Sequence, residues 1–251
     1  MKNTENHWER IARTGWKTVY LSEIYWLAVE NLELCEEVFT SAVTPPPGES
    51  YLRVDHGIHR KIYRILNNAA RLSALMKDRD RRAGQSAGQY EIQSRRVRWI
   101  RSVLDGIAIA EIGHAKVRHS LEHFDEYIDE TALKSSRGQI PLPSFFPIDF
   151  VLGRADTLNA IAFGKLEGFK TYPLRVYLAE ERTFINCGKE IRLDKLSEEC
   201  AAIAARLLDV APVLRQDEEE TSEQRGSSVL VLGPQHFEEG FGRTPKGSLL
   251  A

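Results

Sequence analysis

Ala110-Glu111-Ile112-Gly113-His114-Ala115-Lys116-Val117-Arg118-His119-Ser120-Leu121-Glu122-His123-Phe124-Asp125-Glu126-Tyr127-Ile128-Asp129-Glu130 is a stretch whose two faces differ in chemistry. Ala110, Gly113, Val117, Leu121, Phe124 and Ile128 recur at steps of three and four, which predicts a helix over 108–133 with one core-facing stripe. His119 and His123 are four apart and fall together, roughly opposite that stripe, in a row extended by Lys116, Glu126 and Glu130. Arg118 sits on a flank with Glu122, Asp125 and Asp129. Two imidazoles, a guanidinium and several carboxylates therefore turn away from their own core, toward solvent or another chain.

Three further amphipathic segments precede this one. Residues 16–40 carry Val19, Ile24, Leu27, Leu32, Cys35 and Phe39 at helical steps, and Pro45-Pro46-Pro47-Gly48 ends that helix. A second helix is expected over 51–76, with Ile58, Ile62, Ile65, Leu66, Ala69 and Leu72, and a polar segment at 77–88 breaks it. A third begins near Tyr90, shows Val97, Ile100, Leu104 and Ile107 on one stripe, and ends or kinks at Gly106. Four such helices with short connections predict an antiparallel bundle over residues 1–134.

The pattern then changes. Pro141, Pro143, Pro147 and Gly138 mark 135–154 as a linker. Residues 155–211 read as a small α+β appendage: a helix over 156–169, alternating strands at 174–178 and 183–185, a short strand after Gly188, and a helix over 193–208 capped at Asp194 or earlier. Residues 212–251 form an acidic, then Gly- and Pro-containing tail in which Asp217 to Glu220 are all acidic. Its apolar exception, Val229 to Leu232, is a candidate segment for docking on a protein partner or on the body of the chain. The expected fold class is thus mainly α, a four-helix bundle with a β-hairpin-plus-helix appendage.

Composition narrows the function classes. A net charge of −2 and a pI of about 6.4 do not mark a general nucleic-acid binder. The charge is uneven, however: Arg79, Arg81, Arg82, Arg95, Arg96, Arg98 and Arg101 crowd one region and are candidate RNA-phosphate contacts, or else a solvated helix face. Three widely spaced cysteines, Cys35, Cys187 and Cys200, argue against a disulfide framework and for a reducing cytoplasm. Residues 1–13 are polar and lack the apolar core of a secretory signal, and no segment is apolar enough for a membrane helix, so no membrane partner is expected.

Arg118-His119-Ser120-Leu121-Glu122-His123 has the form Arg, a polar residue, three more, then His. This resembles the active-site motif of HEPN domains (higher eukaryotes and prokaryotes nucleotide-binding), helical bundles that include metal-independent ribonucleases of toxin–antitoxin, abortive-infection and CRISPR systems. The resemblance covers residues 16–133 as architecture and six residues as motif. It implies an endoribonuclease toxin or antiviral-defence effector that needs no cofactor or metal and cuts RNA at a composite site where two copies meet in a homodimer. Within it, His123 takes the acid/base role, Arg118 the phosphate role, and His119 stands where the family often has Asn or another polar residue. The chemistry is reasonable, because cleavage through the 2′-hydroxyl needs groups that exchange protons near neutral pH and a fixed donor array for the phosphate. Arg53 and His59 also satisfy the wider spacing the family allows, so the pattern alone does not choose the site.

The same residues spell a second pattern. His119-Ser120-Leu121-Glu122-His123 is H-x-x-E-H, in which His119 and His123 would ligate zinc, Glu122 would act as general base, and Glu198 or Glu199 would supply a distant ligand. The glycine-containing sequence that usually follows that motif is replaced by Phe124-Asp125-Glu126-Tyr127. A third reading is a non-catalytic helical module that binds RNA or a protein partner.

Overall fold

The computed structural model describes residues 8, 11, 15–139, 148–157 and 174–211. Its helices are α1 (Trp16–Ser41), α2 (His56–Met76), α3 (Ala87–Val103), α4 (Ala115–Glu122), α5 (Phe124–Ser136) and α6 (Leu193–Val210). Five short strands join them: β1 (Leu52–Val54), β2 (Phe150–Leu152), β3 (Arg175–Leu178), β4 (Thr183–Asn186) and β5 (Lys189–Arg192). Among the described residues the chain is mainly helical with one small sheet.

Helix α1 is the central element. It buries Ile24, Tyr25, Leu27, Ala28, Leu34, Cys35 and Val38, a set too wide for one neighbour, because α2 covers one side and α6 the other. On α2, Ile58, Ile62, Ile65, Leu66, Ala69 and Leu72 form the stripe expected from their spacing. Two sulfur contacts accompany the packing of α1 on α6: Asn31 Nδ2 donates to Cys200 Sγ at 3.8 Å, and Cys35 Sγ donates to the Leu193 carbonyl at 3.9 Å. Helix α3 lies against α2 and opens with a capping box, in which Gln89 N donates to Ser86 Oγ and Ser86 N to Gln89 Oε1.

The sheet runs β1-β2-β3-β4-β5, with β2 and β3 parallel and the other neighbours antiparallel. Its helix-facing side aligns Tyr177, Phe184 and Ile191 across β3, β4 and β5, all buried, and the Phe184 ring meets His59 and Tyr63 of α2 edge-on. Leu152, Val176 and Leu178 form a separate cluster with Phe150, Ala155 and Ile185. Strands β4 and β5 are joined by Cys187 and Gly188, with φ of 46° and 72°. Two positive values in a two-residue loop define the turn that suits the twist of a hairpin, and glycine supplies one without strain. No helix among the described residues is long and apolar enough to cross a membrane.

Four differences from the sequence expectation have local causes. The second helix starts at His56 rather than Tyr51, because Asp55 caps it by accepting from Ile58 N at 3.0 Å and residues 52–54 pair as β1. The fourth helix does not run unbroken over 108–133. It starts at Ala115 and is interrupted at His123 (φ −114°, ψ 40°), and α5 begins at Phe124. Residues 150–152 of the expected linker are strand β2, which pairs with β1, so the helical half and the α+β half share one sheet. Helix α6 has no side-chain cap, and Asp194 instead pairs with Arg192 at 2.6 Å. The helix expected over 156–169 lies outside the described residues from 158 onward, as does the tail at 212–251 with Val229 to Leu232.

Candidate functional site

Helix α4 is held from the segment ahead of it and from its buried side. Ahead of it, the Glu199 carboxylate on α6 accepts from the Glu111 and Ile112 amides at 3.0 and 2.9 Å. The following turn brings Gly113 so close to the Ile109 carbonyl that a Cβ would sit 2.8 Å from that oxygen, so only glycine fits. Val117 and Ser120 are fully buried. Ser120 Oγ donates to the Val117 carbonyl at 2.7 Å and accepts from Asn186 Nδ2 of β4 at 2.8 Å. A helix of eight residues has little stability of its own, and these ties to α6 and the sheet hold it.

The opposite face carries the motif. His119 is exposed, and the side chains of Arg118, Glu122 and His123 retain 28%, 53% and 41% of their exposure. The two imidazoles lie side by side, ring centroids 4.4 Å apart and planes inclined at 50°, with Tyr127 edge-on to His119 at 6.3 Å. His123 Nδ1 lies 3.1 Å from Glu126 Oε1 on the first turn of α5. That carboxylate can only accept, so Nδ1 carries the proton and Nε2 presents a free lone pair when the ring is neutral. Arg118 Nε stands 3.5 Å from Glu122 Oε1.

One imidazole nitrogen from each of His119 and His123 and a Glu122 carboxylate oxygen lie within 4.8 Å of one another, a set able to hold a metal ion. Neither distant carboxylate joins them. Glu199 holds the two backbone amides ahead of α4, and Glu198 holds Lys195 Nζ at 2.9 Å.

Behind Arg118 is a cavity of about 230 Å³ lined by Tyr63, Asn67, Arg118, Leu121, Glu122 and Arg175. Arg175 brings a second guanidinium to the motif, and spacing gave no sign of it. Its guanidinium lies over the Phe124 ring at 4.6 Å and the Tyr63 ring at 5.8 Å, and its Nε meets Asp149 Oδ1 at 3.0 Å. Asp149, at φ 61°, also faces His56 Nδ1 at 2.9 Å and His59 Nδ1 at 3.7 Å. Burial holds the His59 imidazole below its usual value, and the Phe150 carbonyl, 3.1 Å from Nε2, opposes this. Burial pushes the Tyr63 phenol up to about 12. His59, the histidine of the repeated spacing, is thus interior, and Arg53 is engaged with the Ser41 carbonyl at 2.7 Å and Asp55 at 3.1 Å.

The seven candidate arginines divide. Arg96 and Arg101 reach the Ala74 and Met76 carbonyls at the end of α2, at 3.4 and 3.2 Å, and Arg96 also lies over Tyr20. Arg95 pairs with Glu91 at 3.2 Å, Arg81 bonds the Gln85 carbonyl at 2.8 Å, and Arg98 bonds the Ser94 carbonyl at 3.4 Å. Arg79 lines a cavity of about 280 Å³ together with Arg118 and His114. Arg79 and Arg82 share a second cavity, of about 480 Å³, with Arg96. The fold therefore brings Arg79 beside the motif and spreads the others along α3 and the loop before it.

No protein-family model matches this chain, and neither a curated protein nor a solved structure does.

Proposed function

We propose that this chain is a HEPN-like, metal-independent endoribonuclease of the toxin or antiviral-defence kind, acting in the cytoplasm as a homodimer with its helices as the family's bundle. The observation that carries the reading is the pair His119 and His123 at 4.4 Å beside Arg118, at the outward side of the end of helix α4, whose Val117 and Ser120 are fully buried. One neutral imidazole takes the 2′-hydroxyl proton as that oxygen attacks phosphorus, and a protonated imidazole returns a proton to the departing 5′-oxygen. The charge that builds on the phosphoryl oxygens falls to Arg118. Glu126 orients His123 so that Nε2 is the atom that exchanges the proton.

The test is incubation of the full chain with total RNA and labelled oligonucleotides, with and without EDTA, beside His123→Ala. Cleavage that survives EDTA and is lost in the variant supports the ribonuclease. Absence of cleavage by folded protein across substrates overturns it in favour of a non-catalytic RNA-binding or protein-interaction module. One observation favours that second reading: Glu122, Asp125, Glu126, Asp129 and Glu130 are all exposed around the histidines, where they repel phosphate.

A further inference from the structure

We propose that His119, Glu122 and His123 bind a transition-metal dication, Zn²⁺ above all, and that the bound ion switches the ribonuclease site off. The binding half of this proposal stands on geometry alone, and the switching half rests on the ribonuclease reading.

The donor set is two imidazole nitrogens and one carboxylate oxygen, within 4.8 Å of one another. Zinc bonds such atoms at about 2.0–2.2 Å, which places neighbouring ligand atoms about 3.3 Å apart in a tetrahedron. His119 and Glu122 are exposed, so closing to that spacing asks only that Glu122 leave its half-exposed contact with Arg118 and that His119 turn on its contacts with His123 and Tyr127. All three donors stand on consecutive turns around one helix end, and that backbone is held by the buried Val117 and Ser120. Three protein ligands leave a fourth position open to water, and imidazole favours Zn²⁺, Cu²⁺ and Ni²⁺ over Mg²⁺ or Ca²⁺.

Glu126 adds the second feature. A metal-bound histidine ordinarily donates its other ring nitrogen to a carboxylate, which sets the tautomer and raises the basicity of the ligating nitrogen. Glu126 Oε1 stands at 3.1 Å from His123 Nδ1, the arrangement such a ligand requires. The exposed carboxylates Asp125, Asp129 and Glu130 further raise the local concentration of cations, on the face where they disfavour RNA.

The ion and the proton compete for one lone pair. His123 Nε2 cannot accept the 2′-hydroxyl proton while it is coordinated, and the same holds for the ligating nitrogen of His119. Metal-free protein is then the active form, and chelation restores activity rather than abolishing it.

The experiment uses the full chain freed of metal by chelator dialysis. Titration with Co²⁺ is expected to develop visible ligand-field absorption that saturates at one equivalent per chain and is displaced by Zn²⁺. His119→Ala and His123→Ala should abolish the saturable signal, and Glu122→Gln or Glu126→Gln should weaken binding by about 10-fold or more. In parallel, Zn²⁺ but not Mg²⁺ should suppress RNA cleavage, EDTA should restore it, and Glu122→Gln should raise the Zn²⁺ concentration that halves its own metal-free rate. Absence of saturable Co²⁺ binding, or equal binding by all four variants, overturns the site. Cleavage that Zn²⁺ leaves unchanged or stimulates overturns the switch. Stoichiometric binding by protein that cleaves no RNA in any state keeps the site and overturns both the switch and the ribonuclease reading.

Discussion

Asn186 on β4 and Ser120 on α4 are 66 residues apart in sequence and joined by a hydrogen bond of 2.8 Å between two side chains with no exposure. Ser120 lies between His119 and Leu121, so this bond ties the sheet to the helix that presents the histidines. Ser120→Ala leaves the Asn186 amide unsatisfied in the interior and should cost about 1–3 kcal/mol. Replacing both residues by apolar ones of similar shape should recover part of that loss, as urea unfolding will show. An unchanged midpoint for Ser120→Ala would mean that the bond does not couple the two elements.

Arg118 should matter to chemistry more than to stability. Its contact with Glu122 is a half-exposed pair four residues apart, worth at most about 0.5 kcal/mol. Under the ribonuclease reading, Arg118→Ala should lower cleavage by about 10²–10³-fold, the range for one preorganised donor to a developing oxyanion. Thermal melts and single-turnover rates on the same preparation separate the two effects. A large loss of stability with little change in rate would reverse the assignment.

Arg175 should behave in the opposite way. It joins β3 to Asp149 at 3.0 Å and lies over Phe124 and Tyr63, with side-chain exposures of 20% for Arg175 and 14% for Asp149. Arg175→Met takes the permanent cation from the Asp149 carboxylate and leaves it only His56 and His59, at a cost of about 1–3 kcal/mol, below the full buried-pair value because those imidazoles remain and some solvent reaches the pair. Chemical denaturation measures it, and a cost under about 0.5 kcal/mol would show the pair to be an ordinary surface contact.

His59 makes stability depend on pH. Burial lowers its value in the folded chain below the ordinary 6.5, so the unfolded chain binds the proton first as pH falls. The stability contribution is complete above about 6.5 and is lost progressively as pH drops toward the folded value, with a slope of at most about 1.4 kcal/mol per pH unit. The difference in unfolding free energy between the wild type and His59→Gln, measured from pH 7.5 to 5, should shrink in the acid direction. A difference that stays constant would place no proton-linked penalty on this histidine.

The thiols should be silent in the native state. Burial pushes Cys35 and Cys200 up to about 12 and Cys187 to about 11, and all three are free and buried. Because the thiolate is the reactive form, a disulfide reagent at pH 8 should modify none of them until denaturant is added, when three react. Rapid modification of Cys35 or Cys200 in folded protein would contradict the packing of α1 on α6.

Local periodicity carried much of this structure. The stripes of α1, α2 and α3 could be read because each helix buries one or two faces at a period of 3.6, and the strands β3 to β5 because alternation and the glycine at 188 are local signals. His119, Glu122 and His123 could be placed together because they lie within five consecutive positions, where helical geometry decides proximity. The interruption at His123 was not readable, since nothing in the residues around it is a helix breaker. Strands β1 and β2 were not readable either, because three residues hold too little alternation to register and their pairing joins positions about a hundred apart. The gathering of His56, Asp149 and Arg175 likewise depends on elements that meet only after the chain folds. Spacing along a chain reports which side chains share one element. Which elements meet depends on how their buried faces fit, and that is settled among residues far apart in sequence.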